Sequence, residues 1–415
     1  MDNDYKLQNL EILEQHFREG CKLNCVQKLG MEIEHIIVHR KTRKAVTYYE
    51  AHGIGWILQQ LKAVFPHYYY EDETLLGLYN LDYSVSLEPA AQFEVSIVPK
   101  ESIRVIMKIY QSFLQIIEPL LEAEDYELLT IGYQPKSKVD DLPLIPKQRY
   151  QYMDDYFKTS GTRGRNMMRG TAATQVSIDY CCEQDFVRKY RTAYLVMPAL
   201  KLLSDNTPVF EGLPFPDHLA RTEIWNHVDP KRCGILDGLF DDDFGFHTYA
   251  EYLWNLPLIF LPAPEGSVYT GNQRVCDIWK DRLIDAKDLD HILSMTFLDV
   301  RVKHYVEIRG ADSMPFEYMM AYLALIKGLF FCKEVTSGLL QRYPVAIGDI
   351  RESEKSLQRY GYQGKIYGQP AVKFIEELLN LAEEHLEDGE GMCLLPFRRL
   401  LRHRTTLAKE WQNQK

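Results

Sequence analysis

Four stretches of the chain alternate apolar and polar residues with a period of two, the signature of strands that bury one face. They are residues 30–38 (GMEIEHIIV), 86–97 (SLEPAAQFEVSI), 174–179 (TQVSID) and 305–312 (YVEIRGAD). In the first, Glu32 and Glu34 share one side while Met31 and Ile33 take the other. Glu94 and Ser96 oppose Phe93 and Val95, and Gln175, Ser177 and Asp179 oppose Thr174, Val176 and Ile178. In the last, Glu307 and Arg309 oppose Val306 and Ile308.

Between the strands the period changes to that of helices. Leu7, Leu10, Leu13 and Phe17 recur at helical spacing before Gly20, which stands where a left-handed C-cap belongs. Residues 102–123 and 184–203 read as buried helices behind a sheet, the second ending before Asn206 and Pro208. Pro370 opens another helix, with Val372, Ile375, Leu378 and Leu379 at core spacing. Residues 161–170 (GTRGRNMMRG) combine three glycines with three arginines and are expected to form a flexible basic loop beside an anion. Strands separated by helices, with one polar sheet face, predict an α+β fold on an antiparallel sheet.

A chain of 415 residues, 46% hydrophobic and 26% charged, has ample length for a large core. No linker-like tract or repeat interrupts the strands. The expectation is one catalytic domain over residues 1–415, with helical additions at 1–20 and about 369–415. A net charge of -11 argues against a nucleic-acid groove or an anionic membrane surface. No apolar run approaches the ~18 residues of a membrane span, and the start MDNDYKLQ does not read as a signal peptide, so a cytoplasmic protein is expected. Cys21, Cys25, Cys181, Cys182, Cys233, Cys276, Cys332 and Cys393 show no scaffold spacing and are expected as reduced thiols.

Five carboxylates (Glu32, Glu34, Glu94, Asp179 and Glu307), Gln175 and Arg309 could therefore converge on one concave sheet face. Such oxygen ligands suit magnesium with a nucleotide, whereas zinc would want histidine or thiolate. For any one strand a solvated polar face is the simpler account. Glutamate recurs on the same parity in three strands, however, and lysine is absent from all four, which favours a metal cluster. Arg309 could meet a phosphate oxygen bidentately, or bridge to a neighbouring glutamate. His35 reads as a core histidine and Asp241 to Asp243 as a turn before glycine. Cys181 and Cys182, with no histidine nearby, are weak nucleophile candidates.

In its segments GMEIEH, SLEPAAQFEVS, MMRGTAATQVSIDY, RTEIWNHVDPKRCG, DDFGFHTYAEY and RVKHYVEIRGAD, in that order, the chain resembles glutamate–cysteine ligases of the type shared by plants and proteobacteria. The resemblance runs from about Gly30 to Phe331. It implies a glutamine synthetase-like fold, in which a curved antiparallel sheet forms a funnel with surrounding helices. It also implies ATP-dependent joining of the γ-carboxylate of L-glutamate to the amine of L-cysteine through a γ-glutamyl phosphate, the first step of glutathione biosynthesis.

By matching motif positions, Glu32, Glu34, Glu88, Glu94, Gln175 and Glu307 would surround Mg2+ or Mn2+. Arg309 and Glu307 would be catalytic, Gln175 and Arg169 would contact ATP, and Arg221, Trp225 and Arg191 would bind substrate. The expected partners are these small molecules, without nucleic acid or membrane, and the chain is expected as a monomer or weak homo-oligomer. Ala90 and Ala91 stand where the family usually has two glycines, Gly170 replaces a basic residue, Glu223 replaces a histidine, and Ser313-Met314 replaces a Gly-rich pair. Glu223 is expected to add negative charge near the substrate. Two other functions are weighed against the first: a glutamate ligase with a different amine acceptor, and a catalytically silent nucleotide- or amino-acid-binding homologue. The retained carboxylates and Arg309 speak against silence.

Overall fold

The computed structural model describes residues 5–23, 26–263 and 266–413. Among these, nine strands form one antiparallel sheet: β1 (Leu29–His39), β2 (His67–Glu71), β3 (Thr74–Tyr79), β4 (Tyr83–Leu87), β5 (Phe93–Lys100), β6 (Tyr126–Leu129), β7 (Ala173–Ile178), β8 (Val300–Val302) and β9 (Val306–Asp312). Their order is β8-β9-β7-β1-β5-β4-β3-β2, so the sheet is open, and β6 pairs the far end of β1. The α+β expectation is met.

The apolar parity of each strand forms the back of the sheet. Met31, Ile33, Phe93, Val95, Val176, Ile178, Val306 and Ile308 are all buried there. Each such side chain contributes about 1.5–3 kcal/mol by leaving water. The helix Ile103–Ala123 covers part of this layer with Ile106, Tyr110, Phe113 and Ile117. The helix Glu183–Leu203 packs against β9 and is buried over most of its length. In the C-terminal region, Ala371–Glu384 lies on Phe316–Phe330, close enough that a Cβ on Gly328 would collide with the Ala382 backbone. No described helix is long and apolar enough to cross a membrane.

Three local expectations are corrected. Residues 86–97 are a hairpin rather than one strand: β4 and β5 pair Ser86 with Glu94, and Glu88 lies in the turn between them. That turn closes with Ala91 N donating to Glu88 O at 2.9 Å and is held from below by Gln92, whose amide donates to the carbonyls of Met168 and Thr171. Gly20 does not adopt a positive φ; it is small because a Cβ would strike the Tyr180 hydroxyl. The basic stretch 161–170 is not a flexible loop. Gly164–Gly170 is helical, and its glycines allow close approach, Gly161 to the carbonyls of His227 and Val228, Gly164 to Phe157, and Gly170 to the Tyr133 ring.

The seven described cysteines form no disulfide; Cys25 lies outside the described residues, as do Pro264 and the ends of both terminal helical additions.

Candidate active site

The polar parity of β1, β5, β7 and β9 faces a cavity of about 620 Å³. Glu32, Glu34, Glu88, Glu94, Gln175 and Arg309 line it. Register explains the gathering, because residues opposite one another in antiparallel strands share a face. Glu34 is opposite Glu94, and Glu32 is opposite both Ser96 and Gln175.

A chain of hydrogen bonds crosses four strands behind the cavity. On β8, Arg301 grips Glu307 on β9 through Nε to Oε2 at 2.7 Å and Nη2 to Oε1 at 3.1 Å. Arg309 donates to Glu307 Oε2 at 2.9 Å and to Gln175 Oε1. Gln175 donates to Glu34 Oε1 at 3.0 Å, and the Ala173 amide donates to Glu34 Oε2 at 2.8 Å. Burial alone would raise the Glu307 carboxyl, but Arg301, Lys303 and Arg309 outweigh it and hold the group well below the usual range. Glu307 is thus a fixed charge that orients Arg309, with both oxygens already engaged.

The other glutamates are driven the opposite way. Removal from water pushes Glu32 and Glu94 up to about 7, helped by Glu94 acting on Glu32 and by Glu88 acting on Glu94. Burial, then Glu88, lifts Glu34 well above the ordinary carboxylate value, and burial also raises Glu88. Among the described residues the side chains of Glu32 and Glu88 accept no hydrogen bond and open to the cavity. Glu94 Oε1 accepts from Ser86 at 2.7 Å and from Ser96 at 3.3 Å.

Among the described residues no three His, Cys, Asp or Glu side chains gather into a ready metal cage. Magnesium needs only one or two carboxylates beside substrate phosphates, and crowded carboxylates that hold their protons are groups a hard cation would relieve. The donor set fits Mg2+ or Mn2+ on that ground.

Beside the cavity, and sharing Arg309 and Phe297 with it, lies a small chamber of about 10 Å³ lined by Arg221 and Trp225. The Arg221 guanidinium stacks 5.0 Å from the Trp225 ring, as i,i+4 spacing on the helix Ala220–Asn226 allows. Arg221 Nη1 and Trp225 Nε1 are both buried without an acceptor. Glu223, between them in sequence, does not line the cavity; it lies 3.6 Å from Arg163 and 3.7 Å from His227.

Arg169, Arg191 and Asp179 are brought neither to the cavity nor to the chamber, and Asp179 Oδ2 instead accepts from the Lys28 amide at 3.0 Å. Arg169 is buried in an ion pair with Asp154 at 2.6 Å and donates to the Leu142 carbonyl at 2.8 Å. Arg191 donates to the carbonyls of Leu239 at 2.9 Å and Asp241 at 2.6 Å and lines a separate cleft. His35 is a core residue, with Nδ1 2.9 Å from Phe93 O and Nε2 2.7 Å from the Tyr110 hydroxyl. Cys181 is exposed, and desolvation, then Asp185, pushes its thiol up to about 11, which disfavours the nucleophilic thiolate.

Sequence reasoning missed Arg301, Lys303, Lys147, Arg149, Tyr150, His16 and His304, all of which line the cavity. A signal for Arg301 was present: once Lys303 to Tyr305 is seen as a turn, parity places Arg301 opposite Glu307.

Residues 28–353 match the family model described as Glutamate-cysteine ligase family 2. Glutamate–cysteine ligase B, chloroplastic, of rice (Oryza sativa subsp. japonica) is 32% identical over 332 residues, which cover 78% of this chain and 66% of that protein. The Arabidopsis thaliana chloroplastic enzyme is 30% identical over 343 residues, covering 80% of this chain and 64% of the relative. The chain thus spans about two thirds of the length of these plant proteins. Among solved structures, glutamate–cysteine ligase from Francisella tularensis in complex with AMP superposes with a TM-score of 0.58 at 11% identity, over 94% of this chain and 84% of that one. That likeness concerns the fold. The carboxylate-lined sheet face lies wholly within the matched residues, and the chain belongs to glutamate–cysteine ligase family 2.

Proposed function

We propose that this protein is a glutamate–cysteine ligase. It joins the γ-carboxylate of L-glutamate to the amine of L-cysteine, with ATP converted to ADP and phosphate, as the first step of glutathione biosynthesis. The observation that carries this reading is the cavity in which Glu32, Glu34, Glu88 and Glu94 crowd around a fixed Arg309. The family match and the plant relatives support the choice of substrates. The nucleotide is supported by the AMP in the Francisella structure.

In this scheme a γ-carboxylate oxygen of glutamate attacks the terminal phosphorus and ADP leaves. The cysteine amine then attacks the acyl carbon, phosphate leaves, and the amine loses a proton. Arg309 stands where it can neutralise charge building on the transferring phosphoryl group, which with positioning supplies most of the catalysis in such reactions. Glu307 and Gln175 hold its guanidinium in place. The unpartnered donors of Arg221 and Trp225 suit a substrate carboxylate.

Mg2+ or Mn2+ would be held by Glu32, Glu34, Glu88 and Glu94, and by Gln175 and Glu307 if Arg309 and Arg301 release them; it would supply positive charge at the phosphate oxygens. Arg169 and Arg191 take no part. Helices from both ends share the core of the sheet, which supports one catalytic domain.

The test is ADP release with glutamate held constant and the amine varied. Cysteine should be best and 2-aminobutyrate within about 200-fold of it, because an apolar pocket separates near-isosteres by only ~1–3 kcal/mol. Serine should fare worse, since its hydroxyl loses hydration. A bulky amine as best acceptor would overturn the cysteine assignment, and absence of glutamate-dependent ADP release would overturn the enzyme.

A further inference from the structure

The small chamber beside the cavity divides its ion-pair partners unevenly. Lys201, in the last turn of the helix Glu183–Leu203, gives its ammonium to two carboxylates, Asp299 Oδ2 at 2.7 Å and Glu354 Oε1 at 2.6 Å. Arg221 lines the same chamber, yet its Nη1 is buried without an acceptor and its Nη2 reaches only the Arg309 carbonyl at 3.3 Å. A guanidinium is the better match to a carboxylate, so an unpaired arginine beside a doubly paired lysine reverses the usual preference.

Burial lowers the Arg221 guanidinium, opposed by Glu34, then Asp312 and then Asp299. The first two of these carboxylates are engaged elsewhere and line the chamber at no point. Glu34 accepts from Gln175 and from the Ala173 amide, and Asp312 Oδ2 accepts from the Asn206 amide and the Thr207 hydroxyl, both at 2.9 Å. Among the described residues Asp299 is the one carboxylate that lines the chamber. Its backbone is fixed, because the Arg309 amide donates to the Asp299 carbonyl at 2.9 Å, so only the side chain is free to turn. Burial would lower the Lys201 ammonium, but Asp299 and then Glu354 outweigh it and keep Lys201 charged. Glu354 comes from the helix Ile347–Tyr360, just past the residues 28–353 that match the family model.

We propose that Lys201 is a positioning residue that holds Asp299 away from Arg221, so that Arg221 stays open for a substrate carboxylate. This deepens, and rests on, the assignment of Arg221 to substrate binding. Without Lys201, Asp299 would turn to the chamber's cation with a donor to spare. Arg309 is already held by Glu307 and Gln175, which leaves Arg221. The chamber, of about 10 Å³, has roughly the room of one water, so the side chain has little distance to cross.

The experiment measures KM and kcat for glutamate, cysteine and ATP in the Lys201→Met, Asp299→Asn, Lys201→Met/Asp299→Asn and Arg221→Gln variants. Arg221→Gln marks the amino acid whose carboxylate Arg221 holds, by a raised KM. For that substrate Lys201→Met should raise KM about tenfold or more, as loss of a charged hydrogen bond does, with kcat within about threefold. The same change made in the Asp299→Asn background should cost less than about threefold, since no carboxylate is left to take Arg221. Equal losses in the two backgrounds would make Lys201 a structural residue and overturn the proposal, as would no loss in either. Melting curves show whether each variant folds. If Lys201→Met does not, Asp299→Asn alone decides: its KM should stay within about threefold of wild type, and a tenfold rise would show that Asp299 itself binds substrate. An Arg221→Gln variant with unchanged KM for both amino acids would instead overturn the substrate role of Arg221 beneath the proposal.

Discussion

Arg301 and Glu307 face each other across the β8–β9 hairpin, and one guanidinium engages both carboxylate oxygens. The pair is buried, so its charges are little screened, and Arg309 is tied to the same carboxylate at 2.9 Å. The Arg309 guanidinium is therefore aimed by a structural ion pair and by Gln175.

Glu307→Gln should uncouple that aim. Removing one member of a buried charge cluster costs about 3 kcal/mol or more, so the melting temperature should fall. Turnover should drop roughly 10–100-fold, the usual loss when a group that orients a reacting one is removed. Melting curves and steady-state rates on the same preparation check this; a folded variant with near wild-type turnover would show that Arg309 needs no such support.

The raised carboxylates give a pH dependence with a defined sign. Glu32 and Glu94 hold their protons to about 7 in the fold, whereas unfolded glutamate releases them near ~4.3. Between those values the folded state binds more protons, so these groups lower stability as pH rises through the window. A cation that replaces the protons reverses the loss. The rise in melting temperature on adding magnesium should therefore be larger at about pH 8 than at about pH 5.5. Glu94→Gln should flatten that difference; a magnesium effect independent of pH would contradict it.

Ala91 holds φ at +70°, a left-handed conformation that costs an L-residue roughly 1–2 kcal/mol. Ala91→Gly should relieve this, offset by about 0.4–1 kcal/mol for the freer unfolded chain. The net gain should be small and positive, and turnover should change little because Glu88 keeps its turn. Denaturant unfolding measures it, and a loss of stability would mean that the methyl group packs usefully beneath the turn.

Alternation made Glu32, Glu34, Glu94, Gln175, Glu307 and Arg309 legible, because a period of two puts them on one face whatever the strand order. The hairpin at Glu88 was less so: its turn is made by alanines, one in a conformation that usually marks glycine. Arg169 was misplaced because a charge in sequence does not reveal its partner, and Asp154 reaches it from another helix. Gly20 misled in the same way, since the Tyr180 hydroxyl that fills its place is far along the chain. Lys147 and Arg149 sit outside any alternating segment, and their burial beside the carboxylates appears only in three dimensions.

The central claim is that the cavity activates the γ-carboxylate of glutamate as an acyl phosphate. Glutamate labelled with 18O in the γ-carboxylate tests it directly when it is turned over with ATP and cysteine and the products are read by mass spectrometry. One labelled oxygen should appear in each inorganic phosphate, carried there when the acyl–phosphate bond is broken by the amine. Label in AMP, or none in phosphate while the amide product accumulates, would contradict the account.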